Sequence, residues 1–167
     1  VFFAVMSVSG LTLAAVIAER HDAELQREEM VRQQAAVEAR LRLATIVESS
    51  SDAIISESLN EIVESWNTAA EDMFGYAEAE VIGRPISILI PPELEEEHRA
   101  ILGRLADGER ITNLETVRLT KNGHRLDVSI TVSPVRDAEG RVVGASKIIR
   151  DIAARKQAEQ ILSRMNR

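Results

Sequence analysis

Few side chains in this sequence are equipped for chemistry. Cysteine is absent, which removes disulfides, thiolate nucleophiles and Cys-ligated metals. The three histidines, His21, His98 and His124, are far apart in the chain. His98 follows Glu95, Glu96 and Glu97, a run that could attract a cation. Consecutive residues on a helix point in different directions, however, so the run predicts a solvated face and no metal site. No Ser/His/Asp arrangement, phosphate-binding Gly loop or pair of carboxylates with a reason to be buried is recognisable. A phosphoacceptor-His motif and a Gly-Gly-Asp-Glu-Phe motif are absent as well. The residues in hand therefore predict no catalytic site. The net charge of −7 argues against nucleic acid as a partner, because phosphate binding needs a basic face. The chain starts at Val1 and stops inside a charged, helix-like run, which reads as a fragment of a longer protein.

The elements that must position these residues are legible in the middle of the chain. Aromatic residues are scarce, so a core has to be built from Ile, Leu, Val and Ala. Asp52–Glu57 and Glu61–Trp66 are short β-prone runs, with Ser58-Leu59-Asn60 between them as a turn in which Asn60 can take positive φ. Asn67 or Thr68 can cap a helix, and Thr68 with Glu71 has capping-box spacing. Ala69, Ala70, Met73 and Phe74 form its apolar stripe, and Gly75 is its stop. A second short helix ends at Gly83, and Pro85, Pro91 and Pro92 then interrupt the chain. Helical spacing returns from Glu93 to Ala106. Beyond it, Leu126, Val128, Ile130 and Val132 alternate strictly with polar residues, the signature of a strand with one buried face. Lys121-Asn122-Gly123 before it and Asp137–Gly140 after it are turn signals. Two strands, several short helices and three strands predict an α+β domain with helices on one face of an antiparallel sheet.

Both flanks differ in character. Residues 1–18 carry no charge and reach the lower limit of a membrane span, about 17 residues. Arg20, Arg27 and Arg32 follow, and the positive-inside rule puts that flank in the cytoplasm. Residues 19–42 form a linker helix rich in Glu, Arg, Gln and Ala. Val16, Ala23, Met30, Val37 and Ala44 recur every seven residues, but the complementary row contains Arg27 and Gln34. One apolar row and one polar row predict a weak dimeric coiled coil, against the alternative of a single solvated helix.

The stretch from DAIISESLNEIVESWNTAAEDMFGYAEAEVIGRPISILIPPE to ETVRLTKNGHRLDVSITVSPVRDAEGRVVGASKIIRDIAARKQAE resembles a bacterial PAS domain of the sensor-kinase type, over residues 43–151. The resemblance implies a five-stranded antiparallel sheet of order 2-1-5-4-3 and helices closing a pocket over one face. Residues 152–167 become an exit signalling helix. Residues 1–18 look like the last transmembrane helix of a membrane sensor region. It further implies a sensory and dimerisation module, a parallel homodimer attached to a transmitter domain in the same chain. The parent would be a sensor histidine kinase of a two-component system in the cell inner membrane, with the PAS domain cytoplasmic. The alternatives are an input module of a diguanylate cyclase or phosphodiesterase, and a haem-based gas sensor.

The resemblance also nominates residues. The closing motif is Asp151-Ile152-Ala153, without the usual Thr, so Asp151 can cap the exit helix and signal through it with Ile152. Haem-binding relatives carry their iron ligand on the helix that holds His98, and Arg104 and Arg118 would then meet the haem propionates or the distal ligand. Those relatives follow the His with Asp-Gly-Tyr, whereas Arg99-Ala100-Ile101 stands here. The expectation is therefore an exposed His98, surface positions for Arg104 and Arg118, and no cofactor. An unidentified small-molecule ligand remains compatible with the pocket.

Overall fold

The computed structural model describes residues 2–165, with side chains described from residue 16 onward. The chain divides into two compact units, residues 1–45 and 46–167.

The first unit is helix α1 (Phe2–Glu48), whose last turn belongs to the second unit. Glu19 to Glu48 contains neither Gly nor Pro, so nothing in it interrupts the i→i−4 ladder. The seven-residue row from Val16 to Ala44 is exposed throughout. Glu29 supports the helix locally, pairing with Arg32 and accepting from Gln33 Nε2 at 3.1 Å. Among the described residues no helix is long and apolar enough to cross a membrane. In the stretch 1–18, which the sequence marks as a span, side chains are described only for Val16–Ala18.

The second unit is an antiparallel sheet with helices on one face. Its strands are β1 (Ala53–Ser58), β2 (Val63–Trp66), β3 (Ile111–Leu119), β4 (Arg125–Arg136) and β5 (Val142–Asp151), in the order β2-β1-β5-β4-β3. Between β2 and β3 lie α2 (Thr68–Phe74), α3 (Glu78–Val81), two 3₁₀ turns at Ile86–Leu89 and Pro92–Leu94, and α4 (Glu95–Ala106). Helix α5 (Ala153–Met165) leaves the end of β5. Period-two patterning sets the sheet: Val128, Ile130 and Val132 of β4 are buried, and Ile130 lies opposite Ile149 of β5. Ala53 and Ile55 of β1 continue the same face. Phe74, Val81, Leu89 and Ile101 close it from the helical side. At about 25 cal/mol per Å² of apolar surface, burial on this face is the main stabilising contribution.

Local chemistry explains the joints, with two departures from expectation. The left-handed residue of the β1–β2 turn is Glu61 (φ 62°), not Asn60. The Glu61 carbonyl accepts from Ile86 N at 2.8 Å, and that bond ties the turn to the first 3₁₀ segment. The cap of α2 is Asn67, whose side chain accepts from Ala70 N. The Thr68–Glu71 capping box does not form: Glu48 accepts from Thr68 N and Oγ1, at 3.0 and 2.8 Å. Glu71 instead accepts from Glu78 N. Gly75 ends α2 at φ 77°, the left-handed conformation that favours glycine.

Candidate functional site

The face of the sheet covered by helices carries charge where the pattern calls for apolar residues. Glu57 follows Ala53 and Ile55 on the inward phase of β1, and Lys147 lies between Ala145 and Ile149 on β5. On β3, Thr116 and Arg118 share the inward phase. All four are buried, as is His98 of α4. A buried charge requires a partner and hydrogen bonds to be tolerated, so each partner matters.

Lys147 Nζ stands 2.7 Å from Glu57 Oε1 and 2.8 Å from Oε2, and its hydrogen bond goes to Oε2. Glu57 Oε1 has no hydrogen-bond partner among the described residues. Burial pushes the Lys147 ammonium below its ordinary pKa, and the Glu57 carboxylate opposes that shift. Arg118 NH1 donates to the Val117 carbonyl at 2.7 Å and to Thr116 Oγ1 at 3.1 Å. Thr116 Oγ1 donates to Glu97 Oε1 of α4 at 2.6 Å, and Arg118 NH1 is 3.6 Å from that oxygen. Burial also lowers the Arg118 pKa, against the pull of Glu97 and then of Glu57. On the other side of α4, His98 Nε2 and Glu61 Oε2 are 2.7 Å apart.

These partners place the nominated residues differently from the sequence reading. His98 is buried, not exposed, because Glu61 at the left-handed turn reaches its ring. Arg118 is buried rather than on the surface, because β3 turns it onto the inner face. Arg104 is exposed at the end of α4 and pairs with Glu109 at 2.8 Å. The structure thus brings His98 and Arg118 to one cavity and leaves Arg104 outside it. Sequence reasoning missed Glu57 and Lys147. The available signal was a charged residue at an inward position of an otherwise apolar phase.

The cavity between α4 and the sheet measures about 10 Å³ and is lined by His98, Arg118, Lys147 and apolar residues such as Ile101, Ile130 and Ile149. That is room for about one water. Neither a haem nor a flavin ring fits it in this conformation. His98 Nε2 is already held by Glu61. With no Cys in the chain, a flavin–cysteinyl adduct has no nucleophile. Among the described residues no group of three or more His, Asp and Glu is arranged to hold a metal.

Two polar joints connect this face to the helices at its ends. Buried Asn67 accepts from Ile54 N and Ala70 N, and donates to the Val47 and Asp52 carbonyls, all within 2.8–3.1 Å. It thus uses two donors and two acceptor sites to join the last turn of α1 to β1 and α2. At the same end of β1, Asp52 accepts two hydrogen bonds from Arg150, which hold its carboxyl below the usual carboxylate range. Asp151 accepts from Ala153 N at 2.7 Å and so caps α5, and Ile152 is buried with its N–H on the Asp127 carbonyl. Lys156 and Arg155 then pair with Asp127 of β4 and Glu115 of β3, each at 2.6 Å.

A sheet of this order, a helical cover over one face and a helix leaving β5 define an α+β domain of the PAS architecture. The PAS fold family matches residues 41–152. The chain belongs to the PAS family. It is 28% identical over 134 residues to the signal transduction histidine-protein kinase AtoS of Escherichia coli K12, covering 80% of this chain and 22% of that protein. A phytochrome of Picea abies is 26% identical over 114 residues, covering 66% of this chain and 10% of that protein. Among solved structures, the PAS domain of a Colwellia psychrerythraea protein superposes with a TM-score of 0.63 at 27% identity, covering 70% of this chain and 98% of that one. An RNA-binding Light-Oxygen-Voltage receptor gives 0.63 at 27% identity, over 74% of this chain and 35% of that one. The chain spans about a fifth of AtoS and a tenth of the phytochrome.

Proposed function

We propose that this chain is the sensory input and dimerisation module of a membrane-anchored bacterial sensor histidine kinase of a two-component system. The observation that carries the proposal is the continuous path from pocket to exit: β5 holds Lys147 in the pocket and runs without a loop through Asp151 into α5. Likeness to AtoS, a histidine kinase by name, supports the choice of output. The charge-free residues 1–18 and the arginines behind them support an anchor in the inner membrane with the PAS domain cytoplasmic. In this reading the domain works without haem or flavin, and the transmitter follows in the same chain. A ligand shifts the domain between two packings of similar energy, and Asp151 and Ile152 pass the shift to α5 as a change in helix register or rotation.

Inserting residues after Ala153 in the parent kinase tests that path. Two alanines rotate everything beyond by about 200° at 3.6 residues per turn, whereas seven residues nearly restore the phase. The two-residue insertion is expected to change basal or stimulated autophosphorylation, and the seven-residue insertion to preserve both. Equal activity in both variants makes α5 a passive tether and overturns the proposal.

A further inference from the structure

The pocket treats its two buried cations unequally. Lys147 has a buried carboxylate to itself, and the pair with Glu57 is closed within the core. Arg118 has only a looser, partly exposed one, Glu97, whose Oε1 stands 3.6 Å from NH1. Among the described residues its hydrogen bonds run from NH1, to a carbonyl and a hydroxyl. A guanidinium offers five donors in a planar fork that matches a carboxylate in bidentate fashion. The carboxylate nearest to it is Glu97, 3.6 Å away and held chiefly by Thr116.

Glu97 differs from Glu57 in where it can go. Its side chain is 30% exposed, whereas that of Glu57 is 1% exposed. It sits in the first turn of α4 beside Glu95 and Glu96, so water is within reach and a partly exposed pairing is worth little to keep. Arg118 also lines the cavity with room for about one water, walled otherwise by Ile, Leu and Val with His98 and Lys147. A methyl group is of that size. An aromatic ring is not, and a second carboxylate would meet the apolar wall without a partner.

Resting on the sensory reading above, we infer that the pocket takes a short monocarboxylate of the acetate class, with its carboxylate on Arg118 and its methyl group in the cavity, and that Glu97 holds the carboxylate position in the present structure. Binding releases Glu97 from Thr116 and Arg118. That removes the only side-chain hydrogen bond found here between α4 and β3 among the described residues, and so gives ligand binding a differential contact through which to shift the domain. The other charged groups near the site, Glu57, Glu61, His98 and Lys147, are paired with one another and keep their partners.

Thermal melting of the 167-residue chain in detergent, at constant pH, tests the assignment with sodium acetate as the probe. Acetamide, the neutral isostere, and sodium chloride serve as controls at equal concentration. Acetate is expected to raise Tm in a saturable way, as a ligand of the folded state does, while acetamide and chloride do not. Glu97→Gln is expected to lower the half-saturating acetate concentration about threefold or more, since a charged competitor is removed. Arg118→Gln is expected to abolish the response, and Arg118→Lys to weaken it about tenfold through loss of the fork. Should the Arg118 variants fail to fold, the unsubstituted chain and Glu97→Gln still decide. An acetate response no larger than that of chloride, or a half-saturating concentration unchanged or raised in Glu97→Gln, overturns the inference. If acetate fails while the insertions after Ala153 still differ, the carboxylate assignment falls and the sensory reading stands.

Discussion

At the scale of single residues the domain spends its polar groups in two ways. Asn67 is fully satisfied and acts as a fastener between α1, β1 and α2. Glu57 and Lys147 form an ion pair in a place where apolar residues of the same size would pack. A buried pair of this kind contributes little net stability, because desolvation offsets the attraction, but breaking one half leaves an uncompensated charge. Lys147→Met is therefore expected to destabilise the domain by about 3–5 kcal/mol, whereas the double change Glu57→Leu with Lys147→Met recovers most of that loss. Urea unfolding of the three proteins checks this. A double variant as unstable as the single one would show that the orphaned charge is not the cause.

At the scale of elements, the pairing of β1 with β5 brings Glu57 and Lys147 together, and it leaves no space at Gly144. Gly144 lies opposite Ser58, and a Cβ there would stand 2.3 Å from the Glu57 carbonyl oxygen, a contact with backbone that cannot swing aside. Gly144→Ala is expected to push the strands apart and to cost about 1–3 kcal/mol, the usual range for overpacking. Because Lys147 lies three residues along β5, the same change is expected to lengthen the Glu57–Lys147 contact. Amide hydrogen exchange should show faster exchange for Glu57 and Ala145 than for β3 and β4. Uniform protection across the sheet would reject the tight β1–β5 contact. Helix α4 depends on side chains at both edges, Glu61–His98 on one and Thr116–Glu97 on the other, so it is the element on which a change inside the pocket acts first.

At the scale of the whole molecule, apolar stripes on both flanking helices lack partners within their own unit. Ala154, Ala158, Ile161 and Met165 of α5 are all exposed and follow one another at spacings of four, three and four residues. Met30 and Val37 of α1 are exposed at 66% and 56%. Helices patterned in this way are stabilised by a second copy, and the polar positions Arg27 and Gln34 keep such an association weak. A parallel dimer follows as the proposed working form, and a weak dimer can change packing where a very stable one resists. Sedimentation of residues 19–167 at tens of micromolar is expected to show a reversible dimer. A strict monomer under those conditions leaves residues 1–18 as the sole source of dimerisation.

Much of this was legible before any tertiary contact. The alternation of Leu126 to Val132, the Asn-Gly turn before β4, Gly75 after α2 and the prolines at 85, 91 and 92 each carry a local physical signal, and the elements form where those signals lie. Together with the family resemblance they determine the strand order. Local signals stop at the question of which face a lone charge takes. Arg118 and His98 read as surface residues because charge ordinarily stays in water, and Arg104, which reads the same way, is exposed. What buries the first two is a partner on another element: Glu61 lies 37 residues before His98, and Glu97 of α4 faces Arg118 of β3 at 3.6 Å. A buried charge is tolerated only where another segment of chain brings its counter-charge. The composition of the pocket was therefore decided by the tertiary pairing of β1 with β5 and the seating of α4 across β3, neither of which a single strand or helix encodes.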